Sequence, residues 1–577
     1  MGTSSDLRHI EGLPAFQPRA YLPADIDLRD KDAVVAVYRG LLEAGVHSPS
    51  DLESWILKRS EIDAALDQAG ALLYIKMTCF TDNDQYNSEY KAFEENVVPA
   101  VKPLQDRINK KYIEFKKQFP LENQRYHVYD RALERDLTLY RDENVDLQKQ
   151  VSLLSQEYQA VCGAMTIVFE GQEKTLTQMM PLLEDTQREK RKAAWKSCAQ
   201  RRLRDREVLD KIFNQMCALR NQMAARAGFN NFVPYQFQAL HRFDYTSKEC
   251  KQYQRAVKEN VLPVWQKILE RRKTRMGLNE LRPWDLLVDP QGLAALRPFS
   301  AIDELITGVK KVFHKVDGVL EDLYNEMADL NLFDLENRKG KAPGGYQYTL
   351  AEVRKPFIFM NAVGMDNDVR TMLHESGHAF HSMLCAKENI YDYRHGPMEF
   401  CEVASMSMEL LGGEHLDVFY NKEDFKRSRQ MHLESIVQTL VWVANIDAFQ
   451  HWIYENPGHT REERAQAWLG HHNAFGGQFI NWGGLEEFQK YLWHRQLHIF
   501  EYPFYYIEYG IAQLGALQLW QHYKKNKDDT LAKYRRALSF GGSKTLPELF
   551  QEAGLVFAFS EQTIRPLIEN AEKELQL

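Results

Sequence analysis

No two of the seven cysteines (Cys79, Cys162, Cys198, Cys217, Cys250, Cys385, Cys401) form a CxxC pair, and their number is odd. A disulfide framework and a thiolate metal knuckle are both disfavoured, and a reducing compartment is expected. Long apolar runs are also missing, since no window approaches the ~18 uninterrupted apolar residues of a membrane span. The opening MGTSSDLRHIEG has no basic start followed by an apolar core, and Asp6 stands where a myristoylation signal needs Ser or Thr, so the expectation is a cytoplasmic protein with no membrane partner. Excess charge is small: 73 Lys and Arg against 81 Asp and Glu leave a net charge of -8 on 577 residues, with no global attraction for nucleic acid. One stretch, REKRKAAWKSCAQRRLRDR at 188–206, is locally basic, and it is read as a solvated helix face supported by acidic groups elsewhere.

What is present is an ordinary globular composition, 44% apolar and 27% charged, on a chain longer than one core normally organises. Apolar spacings of three and four predict helices through most of the first 160 residues, in an antiparallel array. A β-like run, AMTIVFEGQEKTLTQM, predicts a hairpin near 165–178 with Gly171 and Gln172 at its turn. Helical pattern returns, stops at AGFNNFVPY, and resumes in long segments near 246–273 and 300–328, with Trp284 buried in the connector. The stretch KPFIFMN is the strongest strand candidate, in a short sheet near 345–363. The fold class is therefore mainly α with a small β element. Two lobes are expected, residues 1–240 and 241–577, with an approximate boundary.

The sharpest chemical signal is HESGH at 374–378. On a helix, His374 and His378 project from one face within reach of one ion, and Glu375 stands beside them, where a carboxylate can take a proton from water. Such a pattern arises by chance in about one in 25 chains of this length, so its surroundings matter. Gly377 costs about 1 kcal/mol in helix propensity, which points to a close approach by another segment. His381 favours the same side but lies too far along to be assumed a ligand, and it is read as a supporting histidine. A third protein ligand is needed if one position stays open. In GPMEFCEVASMSMELLGG a second helix would place Glu402 and Glu409 on one face, Glu402 as ligand and Glu409 orienting an imidazole, with Glu399 as the competing ligand.

Further on, HIFEYPFYYIEYGIAQLGALQLW carries Tyr502, Tyr506 and Tyr509 at spacings of four and three, after His498. A helix starting near Pro503 would present Tyr506 and Tyr509 together with Tyr502 at its entrance. These groups can donate hydrogen bonds to a developing oxyanion, and an aromatic core stripe is the alternative.

Together, HESGHAFHS, FCEVASMSMELL and the Tyr-rich segment, with weaker matches at LAEVRKPFIFMN, AARAGFNNF and RPWD, resemble the thimet oligopeptidase family of zinc metallopeptidases (family M3), especially its bacterial oligoendopeptidase F branch. The resemblance implies one zinc ion per chain held by His374, His378 and Glu402, with Glu399 set aside. It also implies Glu375 as general base and His498, Tyr506 and Tyr509 as groups that bind the carbonyl and stabilise the intermediate. Tyr502 resembles a residue of a mobile cleft loop. The fold implied is a two-lobed, zincin-like helical shell around a deep substrate channel, and the activity is endopeptidic cleavage of short, unstructured oligopeptides. Ser376 departs from the family, which often has a bulky apolar residue there. If an edge of KPFIFMN faces the channel, Phe359, Met360 and Asn361 would align an extended peptide. A metzincin is excluded, because His381 and Leu384 stand where that motif needs Gly and His. A zinc exopeptidase and a catalytically silent peptide-binding protein are the remaining alternatives.

Overall fold

The computed structural model of the chain describes residues 7–121 and 124–577. These residues are mainly helical, with two small sheets. One is an antiparallel hairpin of β1 (Thr166–Phe169) and β2 (Gln172–Thr175); the other joins β3 (Phe333–Glu336), β4 (Tyr346–Leu350) and β5 (Lys355–Ala362) in the order β3-β5-β4. The hairpin turn is Glu170-Gly171, one residue earlier than the sequence pattern indicates, and both residues have positive φ, as the strand twist demands of a two-residue turn. The helices that position functional side chains are α1 (Ser247–Ala256), α2 (Asp366–Leu384), α3 (Met398–Gly413), α4 (Lys422–Glu455) and α5 (Ile507–Lys525). Among the described residues no helix is long and apolar enough to cross a membrane.

The chain forms two compact units, each built from three separate stretches: Met1–Thr138, Arg297–Arg427 and Gly515–Phe557, and then Leu139–Leu296, Ser428–Leu514 and Ala558–Leu577. A single cut near residue 240 therefore does not describe them. Long-range packing, which local periodicity does not encode, draws Gly515–Phe557 to α2 and α3 and the C-terminal helix to α1.

In the first unit, β5 is the central strand, parallel to β3 through Phe333 and Ile358 and antiparallel to β4 through Tyr346 and Phe359. Phe359 and Met360 are buried, and the Asn361 side chain donates to the carbonyls of Ala342 and Gly344. Phe359, Met360 and Asn361 consequently cannot align a peptide, which corrects the sequence expectation. The continuous apolar run that makes KPFIFMN a good strand is the mark of a strand covered on both faces. The edge strands are β3 and β4.

A buried ion cluster pins the loop between β3 and β4. Asp334 receives Arg338 at 2.6 and 2.7 Å and Lys341 at 2.8 Å, while Lys341 also donates to the carbonyls of Asp334 and Glu336. Burial pushes the Asp334 carboxyl up, but the two cations outweigh it and hold the carboxyl below its ordinary range.

The second unit centres on rings: Phe213, Trp493 and Phe500 pack together, and Phe449 lies edge-on to Trp468 and Trp493. Trp284 is buried. The basic stretch is only partly a solvated face. Arg191 is buried and donates to the Trp284 carbonyl and to Asp285, and Arg188 grips the same carboxylate at 2.9 and 2.7 Å. The segment expected as one helix over 300–328 is two, Ile302–Val316 and Gly318–Asp329, because Asp317 caps the second by accepting from Val319 and Leu320 N–H.

Asp334→Asn should destabilise the first unit by about 2–4 kcal/mol, since it leaves the buried Lys341 and the half-buried Arg338 underpaired. Because the folded carboxyl is depressed, its contribution is fully present above the ordinary carboxylate range and is lost as pH falls through the folded value. Urea unfolding at pH 7 and pH 3 should show the difference between wild type and Asp334→Asn shrinking at the lower pH.

Candidate active site

Helix α2 begins after Met365, where the Asp368 carboxylate accepts the N–H groups of Val363 and Met365 at 2.8 Å each. Asp368 is thus the residue that fastens this end. Asp366 instead pairs with Arg370 at 3.0 Å and accepts the Tyr420 hydroxyl at 2.7 Å. Helix α2 then crosses α3 backbone against backbone. A Cβ added to Gly377 would lie 2.5 Å from Ser405 Cα and 2.6 Å from Ala404 O. Only glycine permits that approach.

The crossing brings Glu402 of α3 to the two histidines of α2. Glu402 Oε2 lies 3.5 Å from His374 Nε2 and 3.8 Å from His378 Nε2. Ligands about 2.0–2.1 Å from a tetrahedral zinc stand roughly 3.3 Å apart, so small rotations suffice to close the three donors on one ion. Glu402 is buried, and Ser405 Oγ, one turn on, donates to its Oε2 at 3.1 Å. The Glu409 carboxylate meets His374 Nδ1 at 2.7 Å, which leaves Nε2 facing Glu402. Glu399 is buried but is not part of the group whose donor atoms converge.

Electrostatics favour a dication here. Three carboxylates (Glu375, Glu402, Glu409) surround two imidazoles. Burial pushes Glu375 up to about 7 and also raises Glu402. Against its own burial, His374 is raised to about 9 by Glu409, and His378 is held well below its ordinary value by burial and the adjacent His374. A buried excess of negative charge is costly unless a cation neutralises it. The donor set, two imidazoles and a carboxylate, is that of an open zinc site. The residues fit the group.

Glu375 is buried beside the histidines, and the Gln347 N–H of the edge strand β4 is its backbone partner. Neither Gln347 nor Ser405 follows from the motif. Ser405 was visible as a hydroxyl three residues past Glu402, while Gln347 depends on a tertiary contact. The Ser376 hydroxyl is buried and donates to Met372 O at 2.6 Å, which satisfies it within the helix. His381 lies outside the donor group, buried edge-on to Phe400 and against Gly396, and burial lowers it to about 4.

In the second unit, His498 packs against Tyr506 and Tyr509 with ring centroids at 4.9 and 5.9 Å, and those tyrosines pack on each other at 5.4 Å. Tyr502 is exposed. Helix α5 starts at Ile507, not near Pro503, so Tyr506 immediately precedes it. The delay has a cause: Phe504 holds φ 69°, the left-handed region, which a helix cannot accommodate. Its buried N–H donates to Gln450 Oε1 at 2.8 Å, and its ring rests on Phe237 and His451. Phe504 is buried, and Tyr505 and Tyr506 after it are half-buried against His498.

Among the described residues a second set of donor-type atoms converges within 4.8 Å: Cys250 on α1 and Asp447 and His451 on α4. Here His451 Nδ1 already faces Asp447 O at 2.9 Å and its Oδ2 at 3.4 Å, and Gln254 donates to that Oδ2 at 2.6 Å. Burial lowers the His451 pKa, but Asp447 reverses it and raises it overall. The set reads as a buried ion pair behind Phe504.

Gly377→Ala should lose more than the ~1 kcal/mol gained in helix propensity, because its Cβ meets backbone that cannot rotate away, an overpacking cost of about 1–3 kcal/mol. The added methyl would push α3, and Glu402 with it, away from the histidines. Thermal unfolding combined with a zinc competition titration should show lower stability and at least tenfold weaker metal binding, in line with a loss above about 1.4 kcal/mol.

The model of peptidase family M3 matches residues 181–567, and that of the peptidase M3 N-terminal domain matches residues 27–140. Oligopeptidase PepF of Bacillus subtilis (strain 168) is 25% identical over 473 residues, covering 76% of this chain and 67% of the relative. Among solved structures, PZ peptidase A with inhibitor 2 superposes with a TM-score of 0.86 at 27% identity, covering 95% of this chain and 97% of that one. A 3.1 Å X-ray structure assigned as an oligoendopeptidase F gives 0.85 at 26% identity, covering 96% and 98%. This likeness spans the helical fold, the HESGH helix and the Tyr-rich segment alike, and the chain belongs to peptidase family M3, in its oligoendopeptidase F branch, as a metallo-oligopeptidase that cleaves internal peptide bonds.

Proposed function

We propose that the chain hydrolyses short, unstructured oligopeptides with one zinc ion held by His374, His378 and Glu402. The observation that carries this reading is the convergence of both Nε2 atoms on Glu402 Oε2 with Glu375 one residue along the same helix. When bound, zinc supplies Lewis acidity to a water and to the scissile carbonyl. Glu375 takes the proton of the attacking water and returns it to the leaving amine. Its burial suits the role, since a carboxyl raised to about 7 both accepts and releases a proton near neutrality. Glu409 keeps the His374 ring turned so that Nε2 faces the site. His498, Tyr506 and Tyr509 donate to the oxyanion of the tetrahedral intermediate, and Tyr502 contacts substrate from its exposed position.

An extended peptide adds to β4, whose outer edge pairs with no strand among the described residues and whose Gln347 lies against Glu375. Main-chain pairing of this kind tolerates many side chains and requires an unfolded segment, so folded proteins are poor substrates. Neither nucleic acid nor membrane is a partner in this reading. Among the described residues no disulfide joins any of the seven cysteines, which suits the reducing cytoplasm.

Glu375→Gln should retain one equivalent of zinc by metal analysis and lose at least about 10³-fold in kcat on a peptide blocked at both termini, because both proton transfers are removed. Retained turnover would reject Glu375 as the base. Cleavage confined to peptides with a free terminus would favour an exopeptidase.

A further inference from the structure

Trp442 on α4 points its indole N–H at Gln496 Oε1, 3.0 Å away, and Gln496 Nε2 lies 2.9 Å from His498 Nδ1. An indole nitrogen can only donate, so the amide oxygen must face it. The amide nitrogen, which also can only donate, is thereby turned toward the imidazole. His498 Nδ1 must then accept, and in a neutral ring the single proton sits on Nε2. Heavy-atom positions and valence alone thus place the proton on Nε2.

We infer that Trp442 and Gln496 are positioning residues that lock His498 in its Nε2–H form, so that the ring offers a hydrogen-bond donor to the reacting carbonyl. This rests on the oxyanion-donor reading of His498. The relay is held rigidly at its far end. Trp468 packs edge-on to the Trp442 ring at 6.0 Å, and the Arg495 guanidinium lies over it at 5.3 Å. At the near end, Tyr505, Tyr506 and Tyr509 surround the imidazole with centroids at 5.7, 4.9 and 5.9 Å. Gln496 and Trp442 are also polar neighbours of the Tyr506 hydroxyl, so one amide bears on two members of the cluster. Burial holds His498 down at about 4, which keeps the ring neutral near pH 7 and makes its tautomer the deciding variable. With the proton on Nδ1, a lone pair at Nε2 would repel the oxyanion.

Nitrogen NMR of the zinc-loaded enzyme labelled with ¹⁵N-histidine, with the His498 signals identified by their loss in His498→Gln, reads the tautomer directly. The expected wild-type signature is a protonated Nε2 and an unprotonated Nδ1. Gln496→Leu and Trp442→Phe should shift the Nδ1 signal toward the protonated type and lower kcat about 10- to 100-fold, with KM changed less than about threefold. In a His498→Gln background, adding Gln496→Leu should lower kcat by a clearly smaller factor than in the wild-type background, because the ring is gone and only the contact with Tyr506 is left for the amide to act through. Trp442→Phe keeps the aromatic bulk, so a thermal midpoint near wild type accompanies its effect. A wild-type proton on Nδ1, or a wild-type tautomer and kcat in both single variants, would overturn the inference. Full activity of His498→Gln alongside the expected wild-type tautomer would instead reject the oxyanion role while leaving the relay intact.

Discussion

Two helices can run backbone against backbone only where a side chain is missing, and Gly377 supplies that gap between α2 and α3. The carboxylate of Glu402 is short of reach and rigidly based on its helix. A separation larger by one methyl group would leave the histidine pair of α2 as a two-ligand site. Gly377 costs helix propensity, yet the residues on either side of it are the ones that need the closeness. The opposing surface is backbone, Ser405 Cα and Ala404 O, which has no rotamer with which to yield. The metal-binding geometry therefore depends on a residue that binds nothing.

Around that crossing, each buried charge is met by a fixed partner. Glu409 meets His374, Ser405 meets Glu402, and the β4 backbone meets Glu375. Partnering of this kind removes the penalty of isolated buried polar groups and also limits rotation of the site residues. The second unit uses the same device with neutral groups: Gln450 holds the left-handed Phe504, and Gln496 joins Trp442 to His498. The amides are well suited to it because each carries a donor and an acceptor with fixed geometry. Orientation in both units is set by residues on the helices behind, with the reactive groups in front left free of structural duty.

The sequence made the metal site legible because its residues lie on two short, regular helices, where spacing translates directly into direction. Gly377 could be recognised as a close approach for the same reason. The choice between Glu402 and Glu399, one turn apart on nearly one face, needed the family likeness and then the crossing angle. The sheet was misread at β5, since a buried strand and an edge strand can share an apolar run and only pairing tells them apart. The start of α5 was misplaced because a left-handed phenylalanine leaves no trace in propensity. Gln347, Gln496 and Trp442 were invisible, as their partners are distant in sequence and their residue types are unremarkable. The two units were hidden for a related reason: each is stitched from three stretches, and periodicity reports only on neighbours.

The central claim is that a crossing of α2 and α3 gathers His374, His378 and Glu402 around one ion. X-ray absorption at the zinc edge of the loaded protein tests it without reference to turnover. The account predicts two imidazole nitrogens with oxygen completing the shell, no sulfur, and loss of this signature in Glu402→Ala. A sulfur shell, or an unchanged coordination shell in Glu402→Ala, would contradict it.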